Sequence, residues 1–214
     1  MSFLSYLYPI ILYRSESKWN NSIVVREVNG VRELYVNNVL QSGLWYRNIW
    51  NKLITSLYPD SLKNNASVLV LGLGGGDAIS VLNEMDSSFR IEIVEIDPEI
   101  ILIARKYFQI DDDPYTTIVH SDAALYLRSL PGRLFELIII DLYQGDKIPG
   151  FVTKIDFLTG IKSKLSTGST AIFNYNSGSF TERKFSEFEG ILGSVFSSVK
   201  RTSIRGHIFF VVQK

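Results

Sequence analysis

Residues 68–82 read VLVLGLGGGDAISVL. The apolar run Val68–Leu71 enters Gly72, Gly74, Gly75 and Gly76, and Asp77 follows. A continuous apolar run of this kind is the pattern of a strand covered on both faces. The glycines let the backbone approach a ligand closely, and the helix that follows offers unpaired N–H groups. A dinucleotide fingerprint, G-x-G-x-x-G, would place its third glycine at position 77. A carboxylate stands there instead. Tight strand-to-helix turns use the same glycines, so the meaning of the loop depends on what surrounds it.

From Ala66 onward, strands and helices alternate. RIEIVEI (90–96), TTIVHSD (116–122), ELIIIDL (136–142) and STAIFNY (169–175) read as further strands, with a helix opened by Asp97-Pro98-Glu99 and others near 123–130, 154–165 and 181–195. Such alternation predicts a parallel sheet with helices on both faces. The end of the chain breaks the rhythm. SVKRTSI (198–204) and HIFFVVQK (207–214) are too close for a helix between them and predict an antiparallel hairpin. The expected fold class is α/β: a methyltransferase-type Rossmann fold, with a seven-stranded mixed sheet ending in that hairpin.

Upstream, SIVVREVNGVRELYVNNVLQSG (22–43) predicts a small antiparallel unit of two or three strands. Asn29-Gly30 is a strong hairpin signal because both residues tolerate positive φ, and Asn37-Asn38 is a second turn. Leu44, Ile49, Leu53 and Leu57 recur at helical spacing, and Trp45, Tyr46 and Trp50 in the same stretch read as core at that spacing, or as a partner surface in a binding protein. PDSLKNN (59–65) reads as a linker. The expected domains are residues 1–43, a β-hairpin unit, and 44–214, a nucleoside-binding domain. The N-terminal FLSYLYPIILY (3–13) is shorter than the roughly 20 apolar residues a membrane span needs. It has no basic segment before it and no small-residue cleavage site after it. It reads as a strand or arm packing on the body or on a second subunit, in a cytoplasmic protein without a membrane role.

The chain carries 22 basic and 22 acidic residues, a formal net charge of zero, which argues against broad electrostatic capture of nucleic acid. It has no cysteine and two histidines, so thiolate and histidine-rich metal sites and a cysteine nucleophile are excluded, and no metal is expected. His120 and His207 read as structural, since neither stands at the carboxyl end of a predicted strand.

Ligands of open α/β sheets bind beyond the carboxyl ends of the strands. Four places in the sequence meet that rule. The first is the glycine loop. The second is Glu95, about 20 residues further on, at the spacing of a ribose-binding acid. Asp97, just before Pro98, reads mainly as a helix cap. The third is Ser121-Asp122-Ala123, where Asp122 either accepts from an adenine amino group or caps the next helix. The fourth is Asp141, behind three isoleucines; a carboxylate ending so apolar a strand calls for a partner or a task. Tyr175-Asn176 either lines the rim of the site or forms a turn.

Together these segments resemble the spermidine/spermine synthases, the polyamine aminopropyltransferases. The resemblance rests on VLVLGLGGGDA, IEIVEIDPEIILIARKYF, IVHSDAALYL and LIIIDLYQGDKIP, with RELYVNNVLQSG similar to the strand pair that ends in a glutamine. It covers residues 22–176 and implies a small β-unit before the Rossmann domain, and a homodimer. It further implies decarboxylated S-adenosylmethionine as co-substrate, without metal, and a small-molecule polyamine as acceptor. Gly72, Gly74, Gly76, Ile96 and Ala123 would line the nucleoside site. Glu95 would hold the ribose hydroxyls, and Asp122 would meet the adenine. Asp77 would face the amine of the transferred group, and Gln41 would reach toward the nucleoside. Asp141 would contact the attacking amine, with Tyr143, Gln144 and Asp146 on the acceptor side. The family's D-x-x-D at this loop reads Asp141–Gln144 here, with Asp146 two residues late, and its Tyr-His-Glu cluster is absent. DLYQGDKIP is closer to a bacterial spermidine-synthase-like subgroup. Two other readings stand beside it: an S-adenosylmethionine-dependent methyltransferase, and a non-catalytic nucleoside-binding protein. The missing third glycine argues against a dehydrogenase.

Overall fold

A computed structural model describes residues 3–57, 62, 64–130, 132–145, 147–175 and 181–214. Asp146, Asn176 and most of the expected linker lie outside the described residues. Among the described residues the strands form two sheets.

The smaller sheet is an antiparallel meander of β1 (Ile10–Ser15), β2 (Ile23–Val28), β3 (Val31–Val36) and β4 (Val39–Ser42). Its turns follow from their residues. Asn29 and Gly30 sit at φ 51° and 76°, and Asn37 and Asn38 at 50° and 65°. Positive φ at both central positions matches the right-handed twist of a two-residue hairpin. The unit has four strands rather than two or three, because the apolar N-terminal run supplies β1, which pairs with β2. Ahead of it, a 3-10 turn at Phe3–Tyr6 is pinned by Ser5, whose carbonyl accepts from Asn29 N at 2.8 Å and whose Oγ accepts from Gly30 N at 3.0 Å.

Helix α1 (Leu44–Leu57) follows, burying Ile49, Trp50, Leu53 and Ile54. Trp50 packs edge-on against Phe209, as a core residue does. Trp45 departs from the core assignment: it is 41% exposed, at the amino end of the helix.

The larger sheet runs in the order β10-β11-β9-β8-β5-β6-β7. Its strands are β5 (Ser67–Leu71), β6 (Arg90–Glu95), β7 (Thr116–His120), β8 (Phe135–Ile140), β9 (Leu165–Asn174), β10 (Ser198–Ile204) and β11 (His207–Gln213). Strands β5 to β9 pair in parallel, and β11 pairs antiparallel with both β9 and β10. Successive side chains of a strand point to opposite faces. Val68, Val70, Leu137 and Ile139 thus enter one core with α1, α2 (Asp77–Met85), α3 (Pro98–Phe108) and the small sheet. Leu69, Leu71, Ile138 and Ile140 enter the other, with α4 (Ala123–Arg128), α5 (Ile155–Lys164) and α6 (Glu182–Val195). The fold is that of a methyltransferase-type Rossmann protein. Among the described residues no helix is long and apolar enough to cross a membrane.

The topology places the site in two ways. Strand order reverses between β5 and β8, opening a crevice at their carboxyl ends. The antiparallel β11 also brings its first residue, His207, beside Asn174 at the end of β9, with Nε2 2.7 Å from Asn174 Oδ1. The statement that His120 ends no strand is corrected. It closes β7, and its Nε2 lies 3.0 Å from the Ile96 carbonyl.

Candidate active site

A cavity of about 360 Å³ opens where β5 and β8 diverge. Gly72, Gly74 and Gly76 form its floor. At Gly72, φ is +96°, and a Cβ would stand 2.1 Å from the Asp141 carbonyl oxygen. Glycine is therefore what lets the ends of the two central strands touch. Asp77 begins α2 and borders the cavity. Its Oδ2 accepts from Ser42 Oγ at 2.8 Å and Gly43 N at 3.1 Å, at the end of the small sheet. Burial pushes its pKa up to about 6, against the pull of those two donors and of Arg47.

Glu95, at the end of β6, accepts three backbone bonds: Oε2 from Leu73 N at 2.9 Å, and Oε1 from Ile96 N at 2.8 Å and Asp97 N at 2.9 Å. Burial raises its pKa; the three N–H groups oppose the rise, and the Asp97 charge adds to it. Glu95 and Ile96 both line the cavity. Asp97 caps α3 as expected, with Oδ1 accepting from Glu99 N at 3.0 Å. Its Oδ2 does more, accepting from Ser17 Oγ at 2.5 Å and Asn20 Nδ2 at 2.8 Å. That anchor swings the β1–β2 loop over the cavity, so that Trp19 and Asn20 join its wall. Sequence reasoning missed both residues, and nothing in the polar run ESKWNNS marks them.

Asp122 and Ala123 stand at the start of α4, on the cavity wall. Of the two readings of Asp122, the cap is present: Oδ1 accepts from Leu125 N at 2.8 Å. Gln41 lines the cavity from β4 and donates Nε2 to the Gly145 carbonyl at 2.8 Å, tying the small sheet to the loop after β8. That loop is closed by a backbone pair between Gln144 and Lys147, and it carries Tyr143 and Gln144 into the wall.

Asp141 follows β8 at the centre of the site. Oδ1 accepts from Asn174 Nδ2 at 2.7 Å. Burial lifts its pKa to about 7; the Asn174 bond opposes this, and the Asp77 and Glu95 charges reinforce it. Behind it, Asn174 Oδ1 lies 2.7 Å from His207 Nε2 and accepts from the Tyr143 hydroxyl at 3.1 Å. Tyr46 packs edge-on to His207, and its phenol is pushed up to about 12 by burial and then by the charges of Asp141 and Asp77. Tyr46, Asn174 and His207 were not legible as site residues, because their placement depends on how remote elements dock.

Five acidic residues line the cavity, Asp77, Glu95, Asp97, Asp122 and Asp141, and carboxylates around one cavity attract a cation. A buried acid with a pKa near neutrality can also accept a proton from a reacting group.

The sequence model described as "Spermine/spermidine synthase domain" matches residues 48–205. The chain is 28% identical over 133 residues to a polyamine aminopropyltransferase of Vibrio vulnificus, covering 61% of this chain and 44% of that protein. With a polyamine aminopropyltransferase of Chromobacterium violaceum it shares 32% over 129 residues, 58% of this chain and 49% of that protein. The matched stretch thus spans just under half the length of these curated relatives. A crystal structure of spermidine synthase from Thermotoga maritima superposes with a TM-score of 0.76 at 20% identity, covering 96% of this chain and 73% of that one. That likeness is one of fold.

Proposed function

The chain belongs to the spermine/spermidine synthase family, and from that premise we propose that it transfers an aminopropyl group from decarboxylated S-adenosylmethionine to an amine, releasing 5′-methylthioadenosine. The observation that carries the reading is Asp141: a buried carboxyl with a pKa near 7, facing the cavity that Glu95 and the glycine loop also line. In this reading Glu95 holds the ribose hydroxyls, Asp122 the adenine amino group and Asp77 the amine of the migrating chain. Gln41 closes over the nucleoside. Tyr143 and Gln144 border the acceptor. Residues 1–43 act as a cover for the nucleoside-binding domain, residues 44–214.

The chemistry follows from these groups. An ammonium has no lone pair, so the acceptor must first lose a proton. Asp141 takes that proton: an N–H bond breaks and an O–H bond forms on the carboxyl. The freed nitrogen lone pair attacks the methylene carbon beside the sulfonium sulfur. The C–S bond breaks, and its electron pair stays on sulfur as neutral 5′-methylthioadenosine. Carboxylates that hold both cations in place supply orientation as well as charge. Asp77 favours the decarboxylated donor, since a donor carboxylate beside it would be repelled. We extend the same reading to a polyamine acceptor and a cytoplasmic homodimer.

Calorimetric titration with 5′-methylthioadenosine, S-adenosylmethionine, its decarboxylated form and NAD tests the proposal. The decarboxylated donor and the thioadenosine should bind in preference. Preference for NAD would overturn the nucleoside site as read. Preference for S-adenosylmethionine over the decarboxylated form would replace aminopropyl by methyl transfer.

A further inference from the structure

We propose that His207 is a positioning residue for this reaction: acting through Asn174, it fixes which oxygen of Asp141 faces the acceptor amine. The inference rests on the transferase reading of Asp141, although the bonds behind it exist in the free protein.

Asn174 ends β9 and His207 begins β11, so the antiparallel pairing of those strands brings them together beside the end of β8. Both are nearly inaccessible, at 7% and 3% exposed. A primary amide has a donating end and an accepting end. In the ionised form that takes the acceptor's proton, Asp141 only accepts, so Asn174 then turns Nδ2 toward Asp141 Oδ1, at 2.7 Å. Its Oδ1 then faces His207 Nε2 at 2.7 Å and can only accept. The imidazole must therefore carry its proton on Nε2. Burial keeps the ring neutral, with its pKa pushed down to about 4. The rings of Trp45, Tyr46 and Phe209 pack around it.

Polarity along Asp141–Asn174–His207 thus runs one way. Asp77, Glu95 and the Tyr46 phenol are the titratable groups that act on Asp141 from the other elements, and Tyr143 donates to the same amide oxygen as His207. Oδ1 is occupied by an amide donor. Among the described residues Oδ2 receives no hydrogen bond, so the proton leaving the acceptor nitrogen arrives there. Without the His207 donor, that end of Asn174 still faces the Tyr143 hydroxyl, which can accept as well as donate, so the amide can reverse and accept from a protonated Asp141. The proton would then be held on Oδ1, turned away from the amine. His207 itself exchanges no proton.

The test uses the whole chain labelled with 15N-histidine and 13C-carboxyl aspartate. His207 should appear by NMR as the neutral Nε2–H tautomer from pH 5.5 to 8. The Nδ1–H tautomer, or titration in that range, overturns the proposal. His207→Phe removes the donor and keeps a ring; His207→Gln keeps an N–H donor. With the Asn174 bond loosened, the midpoint of the Asp141 carboxyl should rise by about half to one pH unit in His207→Phe, and the acid limb of kcat/KM should rise with it. In His207→Gln both should return to within about 0.3 units of the parent. The Kd for 5′-methylthioadenosine should stay within about twofold in both variants. An unmoved midpoint in His207→Phe, or an equal displacement in both variants, overturns the proposal. If His207→Phe does not fold, the tautomer and His207→Gln decide. Failure of the transferase reading looks different: the parent protein turns over no amine, while its carboxyl and imidazole signals behave as described.

Discussion

Asp141 joins two requirements that conflict in most settings: it must be buried enough to bind protons near neutral pH, yet stay open to a substrate. Asp141→Asn keeps the shape and removes the base. Turnover should fall by about 10²- to 10⁴-fold in a steady-state assay. Affinity for 5′-methylthioadenosine should change by less than about threefold, since the residue acts on the acceptor side. A comparable loss of nucleoside affinity would show that Asp141 holds the donor instead. Asp97 carries a different load. It caps α3 and holds Ser17 and Asn20, so Asp97→Ala should cost about 2–4 kcal/mol in urea unfolding. The same change should weaken nucleoside binding, through the loop that carries Trp19. The places of Glu95, Asp122 and Asp141 on the cavity wall were legible because each stands at or just beyond the carboxyl end of a parallel strand. Asn20, Asn174 and His207 were not. Their positions depend on contacts across 77, 33 and 33 residues of chain, which no local pattern encodes.

At the scale of elements, local chemistry predicted the turns well and the strand limits less well. Asn29-Gly30 and Asn37-Asn38 announce hairpins because few other residues accept positive φ in pairs. Strand β9 was expected from Ser169 but begins at Leu165, directly after α5. Gly168, at φ +76°, sits in an irregularity between the pairs Phe135–Leu165 and Leu137–Thr170, where a turn signal is absorbed into the strand. The β5–α2 turn is the element most sensitive to change. Gly72→Ala would force a Cβ to 2.1 Å from the Asp141 carbonyl oxygen at a φ that disfavours side chains. Chemical denaturation should show a loss of about 2–4 kcal/mol. Activity should fall further than stability alone explains, because Asp141 must move.

The buried titratable groups make the stability of the whole molecule depend on pH. Asp141 binds its proton more tightly when folded, at about 7 against an ordinary 3.8, so its contribution is full below the unfolded value and is lost as pH rises through 7. Asp77, at about 6, acts in the same direction. His207 acts oppositely: with its pKa depressed to about 4, it favours folding above 6.5 and loses that contribution as pH falls toward 4. A difference curve isolates the carboxyl. The unfolding free energy of Asp141→Asn minus that of the parent, from urea unfolding, should grow from pH 5 to pH 8 and then level off, reaching about 1–3 kcal/mol. A flat difference would mean that Asp141 is ionised throughout.

The sheet order also dictates a sequence of events during synthesis. Strand β11 lies between β10 and β9, so β10 has no place of its own until the hairpin forms and docks as a unit. Until residues 198–213 have been made, β9 presents an unpaired edge rich in Ala171, Ile172 and Phe173. Open apolar edges recruit other chains. A chain stopped at residue 197 should therefore sediment as aggregate, whereas Gly206→Ala, which only strains the turn at φ +80°, should slow acquisition of soluble protein without preventing it. His207 is supplied by the same hairpin, so the newly made protein buries its most adhesive edge in the step that completes the support behind Asp141.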